Sequence, residues 1–310
     1  MAGIFLGTPA AAVPSLAAFC DVEDVDLVIT QPDRRAGRGS DRDTEKAVSA
    51  VKIAAEQFGF AVAQPETGEE LFDLVDSIRP EIALVVAYGR ILKPAVLSLV
   101  PYGFLNVHFS LLPRWRGPAP VERAIAAGDE TTGVTLMRID PGLDTGPILG
   151  EISTPIGHTE TGGSLTARLS FLGATLVDRM IPDFMNGRRR PVPQLAAGET
   201  HAAKLTRGEA RLRSTLGVAE VERAVRAFSP RPGAWIRTQD GDLKIHSATI
   251  APIPTTQSSI EIANGVVTAG FRNGSLELRT VQPPGKTAQD ASAWMNGRRG
   301  IPLAFASDGD

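Results

Sequence analysis

The 310-residue chain is 43% hydrophobic and 22% charged, an ordinary globular composition, and it is longer than one hydrophobic core usually fills, so two domains are expected. A net charge of −3 argues against a strongly basic nucleic-acid protein, and one cysteine, Cys20, excludes an internal disulfide framework. No apolar stretch approaches the ~20 residues that span a bilayer, and the opening MAGIFLGTPA lacks the long apolar run and basic flank of a signal peptide; no membrane association and a cytoplasmic location are expected.

The first two thirds alternate strand and helix signals. Short apolar runs rich in β-branched residues at Gly3–Leu6, Val25–Thr30, Ile82–Ala87 and Phe104–His108 predict buried parallel strands. Helical patterns over Pro9–Cys20, Ala47–Phe58 and Gly68–Ile78 lie between them, a further strand is expected at Thr132–Ile139, and a long amphipathic helix at Gly163–Asn186. Strand–helix alternation with short connections implies right-handed crossovers and an α/β, Rossmann-like, doubly wound, mostly parallel sheet. Ligands in such sheets sit beyond the carboxyl ends of the strands, where the strand order reverses.

The composition then changes. NGRRRPVPQLAAGETHAAK has Arg, Pro and Gly but no periodic apolar face, and predicts an extended linker at 188–205 between a domain at 1–187 and another at 206–310. Beyond it a helix at Ala219–Ala227 and strands at Ala234–Thr238, Leu243–Ile250, Gly265–Ala269 and Ser275–Val281, separated by turns such as QDGD and RNGS, predict a small antiparallel barrel. Charge divides with the domains: residues 204–310 carry 14 Lys and Arg against 10 Asp and Glu, the remainder 18 against 25. An acidic part joined to a mildly basic part suggests two tasks, with any nucleic acid partly on the second.

Chemistry concentrates in LNVHFSLLPRWRG at 105–117. Asn106 and His108 stand two apart on a predicted strand, so they share one face at its carboxyl end. A polar pair on a buried strand needs hydrogen-bond partners or a function. The second candidate is DPGLDTG at 140–146, where a carboxylate in a glycine loop serves as a turn residue or a general base; spacing does not separate Asp140 from Asp144. Four widely spaced histidines and one cysteine give no zinc signature, and no dinucleotide, P-loop or nucleophile-elbow motif occurs.

These motifs, in this order, resemble the formyltetrahydrofolate-dependent formyltransferases: FLGTP at 5–9, TQPDRRAGRG at 30–39, VVAYGRIL at 85–92, NVHFSLLPRWRG at 106–117, GLDTGPIL at 142–149, AFSPRPGAW at 227–235 and QPPGK at 282–286. The resemblance implies an enzyme that uses 10-formyltetrahydrofolate as a co-substrate and no metal. It implies Asn106, His108 and Asp144 as the catalytic set. It implies a folate site made by Ala87, Tyr88, Gly89, Ile91 and Leu92, through backbone groups, with Ser110, Leu111, Leu112 and Pro113. Phe109 departs from the Gly that often follows the histidine in this family. The loop after the second strand is also less basic than usual, with five Lys and Arg against four Asp and Glu over 31–46.

The C-terminal hundred residues and the TQPDRRAGRG loop favour, within this family, formylation of initiator methionyl-tRNA; a monomer is expected. The resemblance implies that the C-terminal domain is OB-like and helps hold the tRNA. Arg34, Arg35, Arg38 and Arg42 are expected to touch the tRNA, Arg38 foremost. The competing expectations are a nucleotide-sugar or glycinamide ribonucleotide formyltransferase, a formyltetrahydrofolate hydrolase, and, from another class, a non-catalytic RNA-binding protein.

Overall fold

The structure is a computed structural model that describes residues 2–35 and 46–306. The chain forms two compact units, one of residues 1–120, 131–155 and 166–202, the other of 121–130, 156–165 and 203–310.

The first unit is built on β1 (Ala2–Gly7), α1 (Val13–Val22), β2 (Asp24–Ile29), the short pair β3 (Arg34–Arg35) and β4 (Lys46–Ala47), α2 (Ala50–Gln57), β5 (Val62–Ala63), α3 (Gly68–Ile78), β6 (Ile82–Val86), α4 (Pro94–Leu97) and β7 (Phe104–His108). After α5 (Pro120–Ala127), β8 (Thr131–Arg138) and β9 (Ile148–Pro155) form a hairpin, and α6 (Gly162–Met185) follows. The sheet order is β5-β2-β1-β6-β7-β8-β9; the first five strands are parallel and the last two antiparallel. β6 is buried at every position, as a parallel strand covered on both faces must be. Ile4, Leu6, Ala83, Val85, Leu71, Val75 and Val96 form one continuous apolar cluster under α3 and α4. Each Leu- or Ile-sized side chain buried there stabilises the fold by roughly 1.5–3 kcal/mol.

The path β1, β2, β5 runs outward from the centre; β6 then returns to the other side of β1. The order therefore reverses between β1 and β6, and the crevice at their carboxyl ends opens beside Thr8 and the loop that starts at Ala87. On the other side β6 pairs with β7 through Val85 and Asn106, so that loop and the end of β7 lie side by side. Gly173 lets α6 approach β7 closely, since a Cβ there would stand 2.7 Å from a Val107 methyl. Val107 faces away from Asn106 and His108, so α6 covers the back of β7 and leaves the polar face open to the site.

Local signals explain most element limits. Ser49 caps α2, its hydroxyl accepting from the Lys52 N–H at 3.0 Å, so the helix expected from Ala47 begins at Ala50. Pro9 and the alanines after it form a 3-10 turn, and α1 starts only at Val13 with Pro14 in its first turn. Residues 188–202 carry no helix or strand, only isolated bridges from Val192 to Ile148 and from His201 to Arg116.

The second unit holds α7 (Val218–Ala227), β10 (Ala234–Thr238), β11 (Gly241–Ala251), β12 (Ser259–Ala263), β13 (Val266–Phe271), β14 (Gly274–Gln282), β15 (Gln289–Asp290), α8 (Ala291–Gly297) and β16 (Leu303–Ala304). Its antiparallel order is β10-β11-β14-β13-β12-β16. A bridge from Thr238 to Phe305 and the Ala306 N–H to Arg237 carbonyl bond (2.9 Å) join the last strand to the first. The barrel is thereby nearly closed, which leaves little exposed strand edge. Val221 and Val225 of α7 and Met295 of α8 enter its apolar core beside Ile236, Ile245, Ile260 and Leu276.

Candidate active site

Asn106 and His108 lie on β7, opposite Met137 and Thr135 of β8. His108 is buried, and its Nε2 lies 2.9 Å from the Trp115 carbonyl oxygen. A carbonyl only accepts, so Nε2 carries a proton, and Nδ1 is the nitrogen left to exchange one. Nδ1 faces Asp144 Oδ2 at 3.8 Å, too far for a direct hydrogen bond. Asn106 is half-buried, and among the described residues no hydrogen bond engages its amide.

The loop between β8 and β9 carries both candidate carboxylates. Because β8 runs antiparallel to β7, its end lies beside the start of β7, and the loop must fold back over the sheet for Asp144 to reach His108. Asp140 Oδ1 accepts from the Gly142 N–H at 3.0 Å and the Thr145 hydroxyl at 2.7 Å, the self-contained pattern of a turn residue. Asp144 instead has a left-handed backbone (φ 52°), and its Oδ2 accepts from the Gly117 N–H at 2.8 Å. Gly146 lets the loop close, because a Cβ there would overlap the Arg138 carbonyl oxygen.

The 110–117 loop is held from several directions. The buried Thr135 hydroxyl donates to the Ser110 carbonyl at 2.7 Å and accepts from the Leu112 N–H at 3.1 Å. The Ser110 hydroxyl donates to the Arg114 carbonyl at 2.6 Å. Arg114 stacks over the Trp115 ring at 4.5 Å. The Arg116 guanidinium, itself buried, meets Glu199 at 2.7 Å and the Gln194 side-chain oxygen at 2.7 and 3.1 Å. Thr200 accepts the Trp115 N–H on its hydroxyl (2.8 Å) and the Arg116 N–H on its carbonyl (2.9 Å).

The expected folate residues divide by what their side chains do. Tyr88 and Leu92 turn theirs into the apolar core, and burial pushes the Tyr88 phenol up, so these two offer the crevice only backbone. Ala87 and Gly89 both have positive φ (47° and 84°), and the Tyr88 carbonyl accepts from the Thr8 hydroxyl at 3.2 Å. Ile91 is 89% exposed. Ser110 and Leu112 are buried, whereas Leu111 and Pro113 are partly open. Of the arginines expected to meet RNA, Arg34 and Arg35 form β3; Arg38 and Arg42 lie outside the described residues. Gln31 and Asp33, just ahead of them in the sequence, are held by a network. Lys52 Nζ meets Asp33 at 2.7 Å and Gln64 at 3.0 Å, and Gln64 donates to Asp33 and to the Gln31 carbonyl, each at 2.8 Å.

Thr8, Thr135, Gln194 and Thr200 support the site and escaped the sequence reading. Thr8 sits inside FLGTP and Thr135 on a strand, where a hydroxyl carries no periodic signal. Gln194 and Thr200 sit in a stretch whose composition marks it only as irregular. Among the described residues no group of three His, Cys, Asp or Glu side chains is placed to hold a metal. No described helix is long and apolar enough to cross a membrane.

An amide donor, a histidine with one free nitrogen and a carboxylate, gathered at the carboxyl end of an α/β sheet, suit transfer of an acyl-type group through an oxyanion. The chain belongs to the formyl transferase family: residues 15–181 match its formyl transferase domain and residues 204–299 its C-terminal domain. It is 42% identical to the methionyl-tRNA formyltransferase of Halorhodospira halophila, over 96% of this chain and 97% of that one. Two solved structures share the fold. HypX from Aquifex aeolicus in complex with tetrahydrofolic acid superposes with a TM-score of 0.65 at 14% identity, over 94% of this chain and 46% of that one, so this chain spans about half of HypX. Methionyl-tRNA formyltransferase from Clostridium thermocellum superposes with a TM-score of 0.56 at 17% identity, over 81% of this chain and 94% of that one.

Proposed function

We propose that this formyltransferase moves the formyl group of 10-formyltetrahydrofolate onto the amino group of initiator methionyl-tRNA. The observation that carries the reading is the 42% identity to a methionyl-tRNA formyltransferase across both units, since the catalytic core alone is common to formyltransferases with other acceptors. Residues 1–187 carry the chemistry, 188–205 join the parts, and the barrel at 206–310 helps hold the tRNA. The enzyme acts as a cytoplasmic monomer.

The amine attacks the formyl carbon, so a C–N bond forms and the carbonyl oxygen becomes an oxyanion. The Asn106 amide donates to that oxygen, a role worth roughly 10²–10³ in rate. His108 acts through Nδ1, which faces the reacting groups because Nε2 is occupied by the Trp115 carbonyl. Asp144 takes a proton from the methionyl nitrogen, directly or through water, as that nitrogen becomes or acts as the neutral amine nucleophile, and one is returned to the folate nitrogen as its bond to the formyl carbon breaks. The folate lies along 87–92, where Ala87 and Gly89 have positive φ, and along 110–113. The arginines of the 34–42 loop meet the acceptor stem.

Formyl transfer from labelled 10-formyltetrahydrofolate to Met-tRNA tests the reading. Transfer to the initiator tRNA is expected. A wild-type protein that formylates a nucleotide-linked amine, or merely hydrolyses the folate, would overturn it.

A further inference from the structure

The Gln194 amide uses all of its hydrogen-bonding capacity within the first unit. Its oxygen accepts twice from Arg116, and its nitrogen donates to the carbonyls of Asp144 and Gly146, both at 2.8 Å. The orientation is dictated by chemistry: a guanidinium only donates and carbonyls only accept, so a flipped amide would lose all four bonds. Gln194 itself is neutral; Glu199 supplies the counter-ion to Arg116.

The two loops that Gln194 ties together bracket the acid–base pair. On one side, Asp144 holds a left-handed backbone that a non-glycine residue adopts at a cost, and its carbonyl is pinned by Gln194. On the other, the residues flanking Arg116 supply the Trp115 carbonyl to His108 Nε2 and the Gly117 N–H to Asp144 Oδ2. A closed ring results, from His108 through Trp115, Arg116, Gln194 and Asp144 back to His108. The 3.8 Å between Nδ1 and Oδ2 is bridged by no direct bond, so the surrounding ring must set it.

We propose that Gln194 is a positioning residue that fixes the Asp144 carboxylate relative to His108 Nδ1. The inference rests on the roles proposed above for those two residues. Gln194 touches neither reacting group and acts through the backbone of Asp144 and the loop of Arg116. Removing it frees a strained residue whose misplacement by about 1 Å costs on the order of 10²-fold in rate.

The test uses the full-length protein and steady-state formylation of Met-tRNA. Gln194→Ala is expected to lower kcat roughly 10- to 100-fold, with KM for folate and for Met-tRNA changed by less than about threefold. Gln194→Glu keeps the acceptors for Arg116 but sets a carboxylate oxygen against two carbonyls and adds a negative charge beside Asp144; it is expected to be worse than Gln194→Ala. In an Asp144→Asn background, Gln194→Ala should cost no more than about twofold further, since two residues acting as one unit are not additive. A merely structural tether would lower the melting temperature and leave kcat of the folded variant intact, and full additivity with Asp144→Asn would mean an independent role. Either result overturns the proposal. A wild-type enzyme that fails to formylate Met-tRNA would instead overturn the functional reading.

Discussion

Asp144 Oδ2 accepts the Gly117 N–H at 2.8 Å while standing 3.8 Å from His108 Nδ1. One carboxylate oxygen thus belongs to the loop after β7 and faces the histidine at the end of that strand, although Asp144 itself arrives from the loop after β8. Asp144→Asn preserves volume but removes the carboxylate proposed as the proton acceptor. Turnover should fall at least ~100-fold with the fold intact, and His108→Ala should lose a comparable amount. Asp140→Asn is the control: its oxygen can still accept from Gly142 and Thr145, so turnover should stay within about threefold of wild type in the same range of assays. Single-turnover formylation checks all three, and a strong loss confined to Asp140→Asn would reverse the assignment.

Asn106→Asp exchanges a neutral donor for a carboxylate at the position where an oxyanion is expected to form. A loss of about 10²–10³ in kcat is expected, with little change in folate affinity. Equal kcat for Asn106→Asp and wild type would remove Asn106 from the oxyanion site.

Gly117 has φ 122°, and a Cβ there would stand 2.7 Å from the Ala202 carbonyl oxygen. Gly117→Ala must move either that segment or its own N–H, which is the donor to Asp144. We expect destabilisation on the order of 1–3 kcal/mol and a fall in kcat together. Thermal melts and kinetics on one preparation measure both, and an unchanged Tm would show that the loop accommodates the methyl.

The Lys52–Asp33–Gln64 network holds Asp33 in place, five residues ahead of Arg38 in the sequence. Its Lys52–Asp33 pair is largely shielded from solvent. Hydrogen bonding to Asp33 is the main influence raising the Lys52 pKa, so the ammonium stays charged through the neutral range. Asp33→Ala should raise KM for Met-tRNA several-fold and leave folate binding unchanged. Arg38→Ala should raise KM or lower turnover for initiator Met-tRNA, with an effect that shrinks when the first acceptor base pair is varied. Equal rates for wild type and Arg38→Ala on all such tRNAs would move specificity to the barrel.

Burial, with Asp21 adding to it, pushes the Cys20 thiol up to about 11. The thiolate is the reactive form, so Cys20 should react slowly with thiol reagents at pH 8 in the native protein and rapidly once urea unfolds it. A thiol whose pKa is raised by folding stabilises the native state below about pH 9, and that contribution is lost as pH climbs towards about 11. Fast native labelling at pH 8 would show that α1 leaves the thiol open.

The class of fold and much of the local chemistry were legible along the chain, because those depend on short-range patterns. Continuous apolar runs such as IALVV specify a strand buried on both faces, and the two-residue spacing of Asn106 and His108 places them on one side of β7 whatever surrounds it. The turn signals QDGD and RNGS bound real hairpins of the barrel. Two-residue pieces such as β5 and β16 were illegible because a strand that short shows no period and owes its existence to the partner it pairs with. Spacing did not tell Asp140 from Asp144, since both sit in the same glycine loop, and only the family resemblance pointed to Asp144. Only the return of that loop across the sheet consumed one in a turn and set the other before His108. Gln194 is the extreme case: it lies 50 residues from Asp144 and 78 from Arg116, in a segment without regular structure. Its role exists only because the tertiary fold brings two carbonyls and one guanidinium within reach of a single amide.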